Sequence, residues 1–132
     1  MGEPVELLTQ EWLDAQRELT QRLPERPGAS ARMEYRVSGG PDGEVVFHTV
    51  LEDGRITESA LGPATPEPDF TVLVTHAEYV AIVRGELDQN VGFMQGRVKV
   101  TGNIGRMLSV LPVTTSPEWR VAADDLLART TV

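Results

Sequence analysis

The sequence contains no cysteine and only two histidines. Without cysteine there is no disulfide framework, no thiolate metal site and no cysteine nucleophile. His48 and His76 stand too far apart for an HxxxH or HExxH pair, so zinc chemistry has no ligand set to start from. Basic clusters are equally missing: 12 basic residues are scattered among 20 acidic ones, for a net charge of −8. Neutralising phosphates requires a basic face, and an anionic surface repels such a chain, so neither nucleic acid nor stable membrane insertion is expected. No run of 18 apolar residues occurs, and the start, MGEPVELLTQEW, has no basic stretch followed by an apolar one. The expectation is therefore a cytoplasmic protein.

What remains is the composition of an ordinary globular domain, 132 residues with 40% hydrophobic and 24% charged side chains. Surface scaling for this mass gives about 6,900 Å² folded against about 21,000 Å² unfolded, so roughly two thirds of the surface is buried without staples. No repeat or long linker divides the chain. Its richest loop composition, GPATPEP at 62–68, is a short connection within one domain spanning 1–132.

Periodicity orders the elements. Thr9 caps a helix over about 10–22, whose buried stripe is Trp12, Ala15 or Gln16, Leu19 and Leu23. Alternation then takes over: Met33, Tyr35 and Val37 stand opposite Arg32, Glu34 and Arg36. After the turn at 39–43, EVVFHTVLE makes a second strand, Asp53-Gly54 a tight hairpin turn, and Ile56 to Leu61 a third strand. A fourth strand, 69–75, runs directly into a helix opened by the capping box Thr75 and Glu78 and ended at Gly85. That helix is apolar nearly all round, which predicts that it is mostly buried. Leu87, Val91 and Met94 mark a short helix, RVKVT a fifth strand, and Ile104, Met107, Leu108 and Leu111 a helix stopped by Pro112. Ser116-Pro117-Glu118 opens a last helix over about 116–130, with Trp119, Ala122 or Ala123 and Leu126 on its buried face. The fold class is α+β, a five-stranded, mainly antiparallel sheet covered by helices.

Catalytic motifs are missing: there is no GxSxG, no P-loop and no glycine fingerprint between a strand and a helix. His48 lies mid-strand and is read as a structural histidine, and His76 as a helix-surface residue. Asp42 and the Asp124-Asp125 pair read as solvated acids, since adjacent carboxylates on a helix point apart. More suggestive are Phe93, Met94, Met107 and Leu108 among glycines at 92, 96, 102 and 105, a composition able to line an adaptable apolar space or simply to fill a core.

The stretch FMQGRVKVTGNIGRML, 93–108, resembles the signature of the sterol carrier protein 2 family, with its Gln-Gly, alternating strand and Gly-Asn before the last family helix. PDFTVLVTHAEYVAIVRGELD at 68–88 and EVVFHTVLEDG at 44–54 are similar to the preceding family segments, so the likeness covers about 33–111. It implies an apolar tunnel for a lipid, fatty acyl chain or sterol-like molecule, bound without cofactor or metal and without a catalytic residue. By position, Phe93, Met94 and Gln95 flank that tunnel, while Ile104, Met107, Leu108 and Leu111 line it. Arg106 stands where the family pattern is apolar, the chain reads RTTV at its end rather than a peroxisomal tripeptide, and the helix from Ser116 lies beyond the matched part. The competing readings are a small acid/base isomerase or cyclase using His48, and an accessory or oligomerisation module with a filled core. No oligomeric state follows from the sequence.

Overall fold

The structure, a computed structural model, describes residues 4–41 and 43–131; Asp42 lies outside them. Strand β1 (Val5–Glu6) leads into helix α1 (Gln10–Thr20), whose first turn is closed by Thr9 accepting from the Trp12 amide. Strands β2 (Ala31–Gly40), β3 (Gly43–Glu52) and β4 (Arg55–Leu61) form the expected meander. Asp53 and Gly54 carry the turn between the last two, with φ of 48° and 90°. β5 (Phe70–Thr75) runs into α2 (His76–Val83), and α3 (Gln89–Met94), β6 (Lys99–Gly102), α4 (Ile104–Thr114), α5 (Pro117–Leu127) and β7 (Thr130–Thr131) follow.

The sheet order is β4-β3-β2-β5-β6. Every pairing is antiparallel except β2 with β5, where Tyr35 sits opposite Val72. That exception follows from the connection, since the chain leaves β4 through the Pro-rich loop and re-enters beside β2 running the same way. β6 hugs β5 at Gly102, whose φ of 105° and closeness to the Phe70 backbone exclude a Cβ. One face of the sheet carries Met33, Val37, Phe47, Leu51, Ile56, Phe70 and Val72, all buried under the helices. On the other face the loop at 62–68 is anchored by Glu34, whose carboxylate accepts from the Ala64 amide at 2.9 Å and pairs with Arg36 at 2.9 Å.

Three details depart from the sequence reading. α4 continues through Pro112 to Thr114, because the proline falls in the last turn, where the Thr115 amide still reaches the Leu111 carbonyl at 2.9 Å. α2 is half-buried rather than sunk in the core; only Tyr79 is fully covered. α5 stops at Leu127 instead of about 130, and the residues after it form β7, which pairs in parallel with β1. The capping box of Thr75 and Glu78, the left-handed Gly85 (φ 77°) and the Ser116 cap are all present.

Candidate functional site

A cavity of about 420 Å³ opens between the helical layer and the sheet. Alternation aims Met33 and Tyr35 of β2, Phe47 and Thr49 of β3 and Ile56 of β4 into it. α1 contributes Trp12 and Gln16 from successive turns, and α2 contributes Tyr79, Ile82 and Val83. α5 closes the space with Trp119, Ala123 and Leu126, a stripe at steps of four and three. This empty space is why α2 stays half-buried: the side chains it aims inward meet the void.

Four aromatic rings define the deep part. Tyr35 stacks on Phe47 with centroids 4.9 Å apart and planes at 4°, and the Tyr79 ring stands edge-on to Trp12, Tyr35 and Phe47 at 6.0–6.2 Å. Such offset and edge contacts fix ring orientation as well as burying area. Burial raises the Tyr35 phenol above its ordinary value, opposed by its hydrogen bond with Gln89. It raises Tyr79 well above, with Tyr35 adding to the effect. Both phenols are thus neutral hydroxyls near pH 7, where they act as hydrogen-bonding groups and not as bases.

The polar end is built from Asp88, the N-cap of α3, with Gln89 and Asn90 in the first turn of that helix, and from the α4–α5 junction, Thr114 to Pro117, with Arg120 one turn further on. Much of this polarity is already engaged. Asp88 caps α3 through the Val91 amide at 3.0 Å, Gln89 donates to the Tyr35 hydroxyl at 3.2 Å, and Ser116 donates to the Val113 carbonyl at 2.7 Å.

Of the seven residues expected around a ligand, Leu111 lies in this wall. Met107 is buried in the core with Val110 and Val113, the three forming the face of α4 turned to the sheet. Ile104 and Leu108 consequently point outward, Leu108 being 55% exposed. Phe93 packs half-buried against the core, while Met94, at 70% exposure, and Gln95 face solvent. Arg106 is exposed too and donates from Nη1 to the Ser30 carbonyl at 3.2 Å. The wall is therefore drawn mainly from the sheet, α1, α2 and α5. Its α5 stripe reads from periodicity as a buried face, with plugging, lidding or completing the cavity left open for that helix, because periodicity cannot distinguish a wall from a filled core.

Neither histidine reaches the cavity. His48 lies on the opposite sheet face, against Gly62 and Glu58, and the His76 ring sits beside Gly40. Asp124 and Asp125 are exposed, as expected of solvated acids, yet each is paired, with Arg120 and Arg22. Among the described residues no group of three or more His, Cys, Asp or Glu is arranged to hold a metal, and no helix is long and apolar enough to cross a membrane.

The SCP-2 sterol transfer family model matches residues 13–113. Human sterol carrier protein 2 is 25% identical over 84 residues, 63% of this chain, and the match spans 15% of that protein's length. A crystal structure of sterol carrier protein 2 superposes with a TM-score of 0.67 at 18% identity, covering 92% of this chain and 95% of the other. A solution structure of a conserved hypothetical protein from Thermus thermophilus gives 0.65 at 19% identity, covering 96% and 89%. Similarity at these identities establishes the fold, in which the α+β architecture is shared.

Proposed function

Because this chain belongs to the SCP-2 sterol transfer family, we propose that it binds one apolar or amphipathic small molecule, a fatty acyl chain, lipid or sterol-like ligand, in the cavity beneath α5. The observation that carries this reading is the cavity itself: about 420 Å³ walled by aromatic and aliphatic side chains around a few polar groups. That volume lies within the roughly 300–1,000 Å³ of small-molecule sites. At about 0.8 kcal/mol per buried methylene, ten methylenes contribute on the order of 8 kcal/mol of gross apolar transfer, which offsets the cost of immobilising the ligand.

The reading is non-enzymatic. A general base must reach the proton it removes, and the titratable side chains in the wall are unsuited to that at neutral pH. Tyr35 and Tyr79 are held neutral, Asp88 is occupied as a helix cap, and Arg120 is a permanent cation. Leu111, alone of the seven residues first expected at a ligand, keeps that role in the proposal. Calorimetric titration with 1-dodecanol at several temperatures tests it. Saturable one-to-one binding with a negative heat-capacity change is expected, and no binding of this or of a bulkier sterol analogue would refute it.

A further inference from the structure

Besides its polar end, the cavity has uncommitted polar groups one row deeper in the sheet. Tyr35 pairs with Phe47 across β2 and β3, and the next inward-facing row is Met33, Thr49 and Ser59, about 7 Å further along the strands. The Asp88–Asn90 end is tied to the Tyr35 row by the bond of Gln89 with the Tyr35 hydroxyl, so the Thr49 row is a separate, inner pole. On α1 the same level is occupied by Gln16. Gln10 bonds the Ser59 carbonyl and the Leu61 amide, and Gln21 the Ile56 carbonyl, so α1 runs back along β4 and Gln16 stands midway. It lies one turn, about 6 Å, past Trp12, whose ring meets Tyr79.

Thr49 and Ser59 are 4% and 6% exposed, and their hydroxyls share one bond of 3.1 Å. Two hydroxyls carry two protons, and a single bond between them uses one. The second O–H has no other acceptor among the described residues, and Thr49 is the member of the pair that stands in the cavity wall. Gln16, half-buried in the same wall, makes no side-chain hydrogen bond among the described residues, leaving its amide free both to donate and to accept. A hydrocarbon end pressed against this pole displaces water and leaves these groups unbonded. A hydroxyl both donates and accepts, so it suits either placement of the Thr49–Ser59 proton and the Gln16 amide as well. The pole carries no charge, which fits a neutral oxygen and not an ion.

We propose that Thr49 and Gln16 form an inner hydroxyl-recognising pole, and that the cavity selects aliphatic molecules oxygenated at both ends, of the class of a long-chain α,ω-diol, over those with one bare hydrocarbon end. This rests on the proposed binding function and narrows it to a ligand whose leading end carries a neutral oxygen.

Calorimetric titrations with 1-octanol, 1-decanol and 1-dodecanol, each against the α,ω-diol of the same length, test it. At a wholly apolar inner end the second hydroxyl is buried without a partner and weakens binding about ten-fold or more. The parent protein is expected instead to bind the diol at least as tightly as the alcohol at one length or more. At that length Thr49→Val, which keeps the shape and removes the hydroxyl, should shift the ratio about ten-fold toward the alcohol, and Gln16→Leu about three-fold the same way. His48→Gln, on the outer sheet face, should leave it unchanged. Should Thr49→Val fail to fold, combining it with Ser59→Ala removes both hydroxyls together and carries the same expectation. A parent that prefers the alcohol at every length, or a ratio unchanged by Thr49→Val or by Gln16→Leu, would overturn the inference and leave the cavity reading intact. Failure of alcohols and diols alike to bind would remove the two together.

Discussion

Phe47 and His48 are neighbours in the chain and face opposite sides of the sheet. Phe47, 2% exposed, stacks on Tyr35 in the cavity wall. The His48 ring lies on the other side, Nδ1 donating to the Gly62 carbonyl at 3.0 Å and Nε2 standing 3.2 Å from the Glu58 carboxylate. A period of two separates consecutive side chains in this way, so a ligand lying against Phe47 has the whole sheet between it and the imidazole.

His48→Gln should therefore leave ligand affinity within two-fold of the parent. Its cost is to the anchoring of the 62–68 loop, and removing a partly exposed pair and one hydrogen bond amounts to about 1 kcal/mol. Titration and denaturant unfolding measure the two effects separately. A turnover activity that required His48, with a pH limb near neutrality, would contradict this placement.

Filling the wall should block binding where filling the outer face should not. Ala123 lies in the wall, whereas Leu108, three residues before Leu111 on α4, points outward. Ala123→Trp is expected to weaken 1-dodecanol binding at least ten-fold, about 1.4 kcal/mol, and Leu108→Trp to change it less than two-fold. The reverse order would put the ligand on the other side of α4.

Both of the chain's tyrosines stand in the wall with raised phenol pKa values, which gives alkaline stability a definite sign. Below pH 10 each is protonated whether the chain is folded or not, and contributes no pH dependence. Above it the unfolded chain releases phenolic protons that the native protein retains, so stability falls as pH rises, by up to about 1.4 kcal/mol per pH unit for each tyrosine. Denaturant unfolding across this window should show a steep decline in the parent and a shallower one in Tyr79→Phe. Identical slopes would mean that Tyr79 is hydrated.

The C-terminal residues after α5 tie down the buried face of α1. Trp12, 1% exposed, donates its indole N–H to the Thr130 hydroxyl at 3.1 Å, and that hydroxyl donates to the Leu126 carbonyl at 2.6 Å. Thr130→Val keeps the shape and leaves the indole without an acceptor, a loss of about 1–3 kcal/mol in equilibrium unfolding. A change below about 0.5 kcal/mol, within the range of ordinary surface substitutions, would show that water replaces the hydroxyl.

Elements announced by local chemistry were legible from the residues. The alternation of Met33, Tyr35 and Val37, the Asp53-Gly54 turn and the Thr75–Glu78 box each act within a few residues of themselves. Features set by distant partners were not. β1 and β7 are two residues each and exist only because Val5 and Glu6 meet Thr130 and Thr131, far away in the sequence. The rotation of α4 is decided by Met107, Val110 and Val113 settling on the sheet, and this carries Ile104 and Leu108 away from the cavity. An apolar step of three and four reveals a stripe, but a stripe can face a core, a void or solvent. Arg120 illustrates the same limit, since its place in the wall depends on how α5 meets α2 at Gly85.

The central claim, that the space beneath α5 holds a hydrophobic molecule, is tested most directly by native mass spectrometry of the protein purified without detergent. The account predicts a population carrying the mass of one lipid-sized molecule, lost on delipidation, restored by dodecanoate and absent from Ala123→Trp. A protein that stays free of added mass even after incubation with dodecanoate and 1-dodecanol would contradict it.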